Sequence, residues 1–202
     1  MKSEPVKVEE IGNKIVRIYV DENPNNPREI CNLGKMVCFH RRYNLGDNNN
    51  LSPDMFEGWE EMKDYLTKEL NAVVILPLYL YDHSGLRIKV GSFGGLLPQG
   101  HAEFDSRQVG FIYATKEDIL AYYDKEMTEE LKKEVEDTLS AEVKIYNQYL
   151  QGDIYGYTIN KRTTCPECGA IHENVLDSCW GFYGIKDVIE VTEEELKELI
   201  EL

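Results

Sequence analysis

The segment Ile154-Tyr155-Gly156-Tyr157-Thr158-Ile159-Asn160-Lys161, the turn Thr163-Thr164-Cys165-Pro166-Glu167-Cys168-Gly169-Ala170 and the run Ile171-His172-Glu173-Asn174-Val175-Leu176 together set the class of the fold. Ile154 to Lys161 alternates as a half-buried strand does, because successive side chains on a strand face opposite sides. Cys-Pro-x-Cys-Gly is a tight knuckle: the two-residue gap lets both thiolates face one tetrahedral cation, and the following glycine permits a positive φ. Ile171 to Leu176 reads as the returning strand, which predicts an antiparallel hairpin with the knuckle at its tip.

A closed zinc site needs four ligands, and Cys165 and Cys168 supply two. His172 and Cys179 complete a set of three thiolates and one imidazole if the hairpin folds back, with Cys31 and Cys38 in reserve. Four protein ligands would make the metal structural, since catalysis needs an open position for water. The competing reading is a reduced pair at an exposed tip, with Cys179 and Trp180 packed in the core.

Outward from the hairpin, the pattern mixes helices and strands without regular βαβ spacing. Lys14 to Val20 and Lys35 to Phe39 read as strands, separated by the turn-rich stretch Asp21 to Pro27. Ser52-Pro53 predicts a helix start, with Phe56, Trp59, Met62, Leu66 and Leu70 on its buried face. Ala72 to Tyr81 is continuously apolar, as in a strand covered on both faces, and Pro77 within it predicts a bulge or an unpaired edge. Leu86 to Val90 is its hairpin partner, Gly91 to Gly100 a connecting loop, and Gln108 to Ala114 the next strand.

Thr115 and Thr128 cap two helices, the second carrying the stripe Leu131, Val135, Leu139, Val143, Tyr146 and Leu150. Gly152-Asp153 ends it. Beyond the hairpin, Gly181-Phe182-Tyr183-Gly184 reads as a tight aromatic turn and Val188 to Val191 as a last strand. Thr192-Glu193-Glu194-Glu195 has the form of a capping box for a terminal helix using Leu196, Leu199 and Ile200. The expected class is α+β, a mostly antiparallel sheet with two or three packed helices and a CxxC hairpin at 161–180. Residues 1–13 are expected to be a flexible segment and 14–202 a single domain.

The 202 residues carry 22 basic and 37 acidic side chains, a net charge of -15, which argues against broad phosphate neutralisation and direct nucleic-acid binding. The acidity reads either as a solvated surface or as a face that docks on a basic partner. No apolar run suits a membrane span or a signal peptide, so a soluble protein of the host cytoplasm is expected. Five cysteines, an odd number with one CxxC, fit metal ligands and buried thiols better than a disulfide framework.

Three polar clusters carry candidate chemistry: His40, Arg41, Arg42 and Tyr43; Asp82, His83 and Ser84; and Asp105-Ser106 with Asp177-Ser178. Each falls at a strand end or loop. Together they offer guanidinium groups for a phosphate or carboxylate and a His-Asp pair for acid-base work. The alternative is that the arginines pair with Asp82, Asp105 or Asp177 and lock the loops together.

The blocks His40-Arg41-Arg42-Tyr43-Asn44-Leu45-Gly46-Asp47, Leu78-Tyr79-Leu80-Tyr81-Asp82-His83-Ser84-Gly85 and Asp177-Ser178-Cys179-Trp180-Gly181-Phe182-Tyr183-Gly184 resemble a family of small proteins encoded by bacteriophages, plasmids and other mobile elements. The resemblance spans about residues 33–184. It implies an accessory protein that counteracts a host defence system, of anti-restriction or anti-CRISPR type, by masking a nucleic-acid-handling host protein. Under that expectation Glu129, Glu130, Glu134, Glu136, Asp137 and Asp177 contact the partner. The alternative function is an enzyme or binding protein for a phosphorylated small molecule or nucleotide, with Arg41 and Arg42 as clamp and His40, Asp82 and His83 as acid-base residues. A scaffold in a phage particle is the third reading.

Overall fold

The computed structural model describes residues 4–83, 85–96 and 105–201. The chain divides into two compact units, where the sequence suggested one domain. Unit 1 joins Met1–Asn25 to Gly152–Leu202, and unit 2, Asn26–Gln151, is inserted between these segments. Each unit holds one four-stranded antiparallel sheet, so the α+β class stands. Among the described residues no helix is long and apolar enough to cross a membrane.

Unit 1 has the strand order β1 (Lys7–Ile11), β2 (Lys14–Val20), β7 (Ile154–Thr164), β8 (Ile171–Tyr183). The expected flexible segment thus contributes β1, closed onto β2 by a two-residue turn at Gly12-Asn13, where Gly12 takes φ +61°. Polarity hid this strand: an edge strand bearing Lys7, Glu9 and Glu10 keeps its open side charged. Val16, Ile18, Tyr157 and Ile159 point to one face and bury against Val188 and Leu196 of helix α4 (Ile185–Glu201).

Two expectations fail in unit 1. Val188 to Val191 is not a strand, and Thr192 does not cap a helix; both lie inside α4, where the Thr192 hydroxyl donates to the Ile189 carbonyl at 2.9 Å. The β-branched residues favour a strand locally, but Ile185, Val188, Thr192 and Leu196 recur at helical spacing, and packing on the sheet decides. The side chains of Leu199 and Ile200 lie outside the described residues. The expected aromatic turn is the end of β8: Tyr155 pairs with Phe182 and Gly156 with Trp180, so Gly181, at φ +88°, is the extra residue of a β-bulge.

Unit 2 has the order β3 (Lys35–Cys38), β6 (Ser106–Thr115), β4 (Ala72–Asp82), β5 (Leu86–Val90). Its sheet is buried on both faces. Val74, Leu78, Leu80, Ile88 and Ile112 pack against Leu131, Val135, Leu139, Val143 and Tyr146 of α3 (Glu129–Gln151). On the other face Val37, Phe111 and Tyr113 meet Met62 and Leu66 of α1 (Trp59–Lys68). Thr115 caps α2 (Lys116–Tyr123) by accepting from the Asp118 amide at 3.2 Å, as expected.

Ser52-Pro53 begins only a short 3-10 turn, Pro53–Met55, and α1 starts later, after Gly58. Phe56 is extended, which breaks the run between the two. Pro77 sits in central β4 at the last pairing position with β5: its carbonyl accepts from the Gly91 amide at 2.9 Å, and its donorless nitrogen, on the same side, cannot return the bond, so the ladder loses one hydrogen bond at its end.

Candidate functional site

The polar site of unit 2 grows from a break in register. β4 and β6 shift between Leu78/Tyr79, so that Leu78 faces Gly110 and Tyr79 faces Gln108, leaving Val109 as the extra residue. Bulges re-aim side chains beside sites. The Val109 carbonyl takes the amide of Phe39 at 2.7 Å as the chain leaves β3, and this delivers His40 to Arg107, the residue opposite Leu80. Gly110 is required there, since a Cβ would meet the Val37 carbonyl oxygen at 1.8 Å.

Arg107 Nη2 lies 3.0 Å from His40 Nε2. A guanidinium only donates, so Nε2 accepts from Arg107 and the ring proton sits on Nδ1; the Arg42 amide, 3.3 Å from Nδ1, then cannot donate to it. Burial, then the charges of Arg107 and Arg42, hold His40 below the usual histidine range despite the opposing charge of Asp82. The imidazole stacks on Tyr43, centroids 5.0 Å apart, and the Arg42 guanidinium lies 5.4 Å from the same ring.

Arg42 forms an ion pair with Asp82. Arg41, by contrast, is exposed, has no carboxylate partner among the described residues, and lines a groove of about 810 Å³ with His40, Tyr43, Trp59 and Arg107. Phe39 and Trp59, stacked at 6.3 Å, give the groove apolar walls, and Asp54 is the one carboxylate among its described lining residues. A smaller cleft of about 180 Å³ shares His40 and Arg107 and adds Arg42, Asp82, Asp105 and Ser106. Cys38 also lines the groove, but burial, aided by the Asp47 charge, pushes its thiol up to about 12, which makes it inert as a nucleophile.

The cluster His40, Arg41, Arg42 and Tyr43 therefore meets Asp82 and Asp105-Ser106 in unit 2. His83 is exposed, with its ring edge-on to Tyr81 at 6.1 Å. Ser84 and 97–104, within which the rest of the glycine-rich loop falls, lie outside the described residues. Asp177 belongs to unit 1 and accepts from the Tyr157 hydroxyl at 2.6 Å. Arg107 was not singled out, because only the register across the bulge brings it to His40.

The five helix carboxylates expected to contact a partner are all exposed on α3, but the face is mixed: Lys132 pairs with Glu129 at 2.7 Å and Lys125 with Glu134 at 3.5 Å. Glu130, Glu136 and Asp137 have no cationic partner among the described residues.

At the hairpin tip of unit 1 the Cys165 amide donates to the Ala170 carbonyl at 2.8 Å and the Gly169 amide to the Cys165 carbonyl at 2.9 Å. The amides of Cys168 and Glu167 and the Cys168 side chain hold the Cys165 thiol below its ordinary range. His172 stands on β8 opposite Thr163, next to the turn, whereas Cys179 pairs with Tyr157, eight residues from Ile171 and about 26 Å down the strand. The ladder thus keeps Cys179 from completing the expected ligand set. Among the described residues no three His, Cys, Asp or Glu side chains are grouped to hold a metal ion.

Comparison with protein-family models, with curated proteins and with solved structures finds no match to this chain.

Proposed function

We propose that unit 2 binds a small phosphorylated molecule with a flat ring, of nucleotide type, in the groove beside His40. The observation that carries this reading is Arg41, an exposed cation without a carboxylate partner among the described residues, beside Arg107 on a groove walled by Phe39, Tyr43 and Trp59. Guanidinium groups suit phosphate oxygens, and the aromatic walls suit a stacked ring. The reading is one of binding, with Asp82 held in an ion pair by Arg42.

Titration with adenosine monophosphate and with inorganic phosphate, followed by Trp59 fluorescence and calorimetry, tests it. Arg41→Ala is expected to weaken binding by about 10- to 100-fold, the worth of a charged hydrogen bond. Affinity is expected to rise as pH falls through the lowered His40 range, because the imidazolium adds positive charge, and His40→Gln removes that dependence. No binding at millimolar ligand, or binding untouched by Arg41→Ala, overturns the proposal.

A second reading rests on Glu130, Glu136 and Asp137: these carboxylates of α3 dock a basic host protein, as a mobile-element protein that counteracts host defence would. Charge reversal at the three positions would then abolish capture of the partner while leaving the groove titration unchanged.

A further inference from the structure

The cysteine knuckle is a half-built metal site in an unusual place. β2 pairs with β7 only as far as Lys14↔Lys161, with the Arg162 amide still reaching the Asn13 carbonyl. Beyond it, Thr163↔His172 and Thr164↔Ile171 are paired to each other alone, so a two-stranded ribbon carries the knuckle past the edge of the sheet. Cys168 and Ile171 are exposed there, Ile171 at 63%. Gly169, at φ +70°, closes the turn with the two cysteines on one short loop.

Tetrahedral zinc requires four ligands when it is held structurally, and soft thiolates are preferred donors. Within one chain the supply stops at the pair: Cys179 is held about 26 Å down β8, and no third His, Cys, Asp or Glu among the described residues joins the cysteines in a metal-holding group. An exposed tip with two thiol ligands is self-complementary under a two-fold axis, which places an identical pair opposite the first. We infer that zinc bridges the hairpin tips of two copies of this chain, with Cys165 and Cys168 from each copy completing a site of four thiolates.

Each of the four thiols releases its proton to solvent as its Zn–S bond forms, and no electron transfer is involved. The bridge rests on the hairpin of unit 1 and stands or falls separately from ligand binding in unit 2.

The test uses the full chain, reduced with a phosphine and stripped by a chelator, then titrated with zinc alone while mass is followed by light scattering and bound metal by elemental analysis. The expected result is a doubling of mass that saturates at one zinc per two chains. Cys165→Ser and Cys168→Ser each abolish both the metal and the doubling, with the far-ultraviolet circular dichroism retained. Cys179→Ser and His172→Ala leave both unchanged. One zinc per chain at constant mass, no zinc retained after desalting, or a doubling that survives the serine substitutions overturns the inference. Cobalt in place of zinc gives a tetrahedral thiolate spectrum only when the two chains have paired, and that spectrum in the monomer overturns it as well.

Discussion

Both units hold an arginine between two carboxylates, and the two arrangements differ in burial. In unit 2 the Arg28 side chain, 2% exposed, gives Nε and Nη2 to Asp47 at 2.7 and 2.9 Å, Nη1 to Glu142 at 3.0 Å and a further bond to the Gly34 carbonyl at 2.7 Å. In unit 1 Arg162, 37% exposed, reaches Glu10 at 3.2 Å and Glu173 at 3.4 Å, and Arg17 adds a bond to Glu173 at 2.8 Å. The carboxylates around Arg28 are themselves committed, Asp47 accepting from the Met36 amide and Glu142 from the Leu33 amide, both at 2.7 Å. The buried network fastens two loops to helix α3, whereas the exposed one decorates the open face of a sheet. Similar chemistry thus has different consequences once solvent is removed.

The sharpest way to break this contrast is Arg28→Ala. Two carboxylates would lose their cation in a buried setting, and a loss of about 3–5 kcal/mol of stability is expected in denaturant unfolding. A loss below about 1 kcal/mol would place Arg28 with the exposed pairs. An intermediate case is the start of α2. Thr115→Ala removes the cap and is expected to cost about 1 kcal/mol.

Its neighbour Asp118 sets a pH dependence: burial alone would raise the carboxyl, but the hydrogen bonds from Lys35 and Thr115 prevail and lower it. A folded value below the unfolded one stabilises the protein above the unfolded range. That increment is lost as pH falls from about 4 through the depressed value, and Asp118→Asn removes it. The smallest effect belongs to Arg17→Ala: melting stays close to that of the parent, and the small difference shrinks further at high salt. A large, salt-independent loss there would erase the comparison.

The degree to which this structure was legible follows the same divide between local and distant causes. The α3 stripe and the β7–β8 hairpin were readable because period and turn chemistry lie within a few residues. The late start of α1 at Gly58 and the helical state of Val188 to Val191 were not, since tertiary packing outweighed a plausible cap and a local β preference. His40, Arg41, Arg42 and Asp82 stood out as polar residues at strand ends. Their companion Arg107 did not, because one extra residue at Val109 decides which side chain meets His40. Cys179 failed as a ligand for a related reason: its spacing from Cys168 is short in sequence but becomes a long distance once β8 is extended.

The insertion of unit 2 between Asn25 and Gly152 also orders events in time. Every strand and helix of unit 2 lies within one continuous stretch, so it is complete on the growing chain before β7 emerges. The pairing of β2 with β7 must wait, since the register Lys14↔Lys161 joins residues on either side of the inserted unit. Long-range antiparallel pairing of this kind slows folding, because the intervening loop must close before any contact stabilises it. During that interval β2 is an open strand template, with Lys14 and Arg17 as the charges that discourage a wrong neighbour. A unit that begins first in the chain is therefore the last to close.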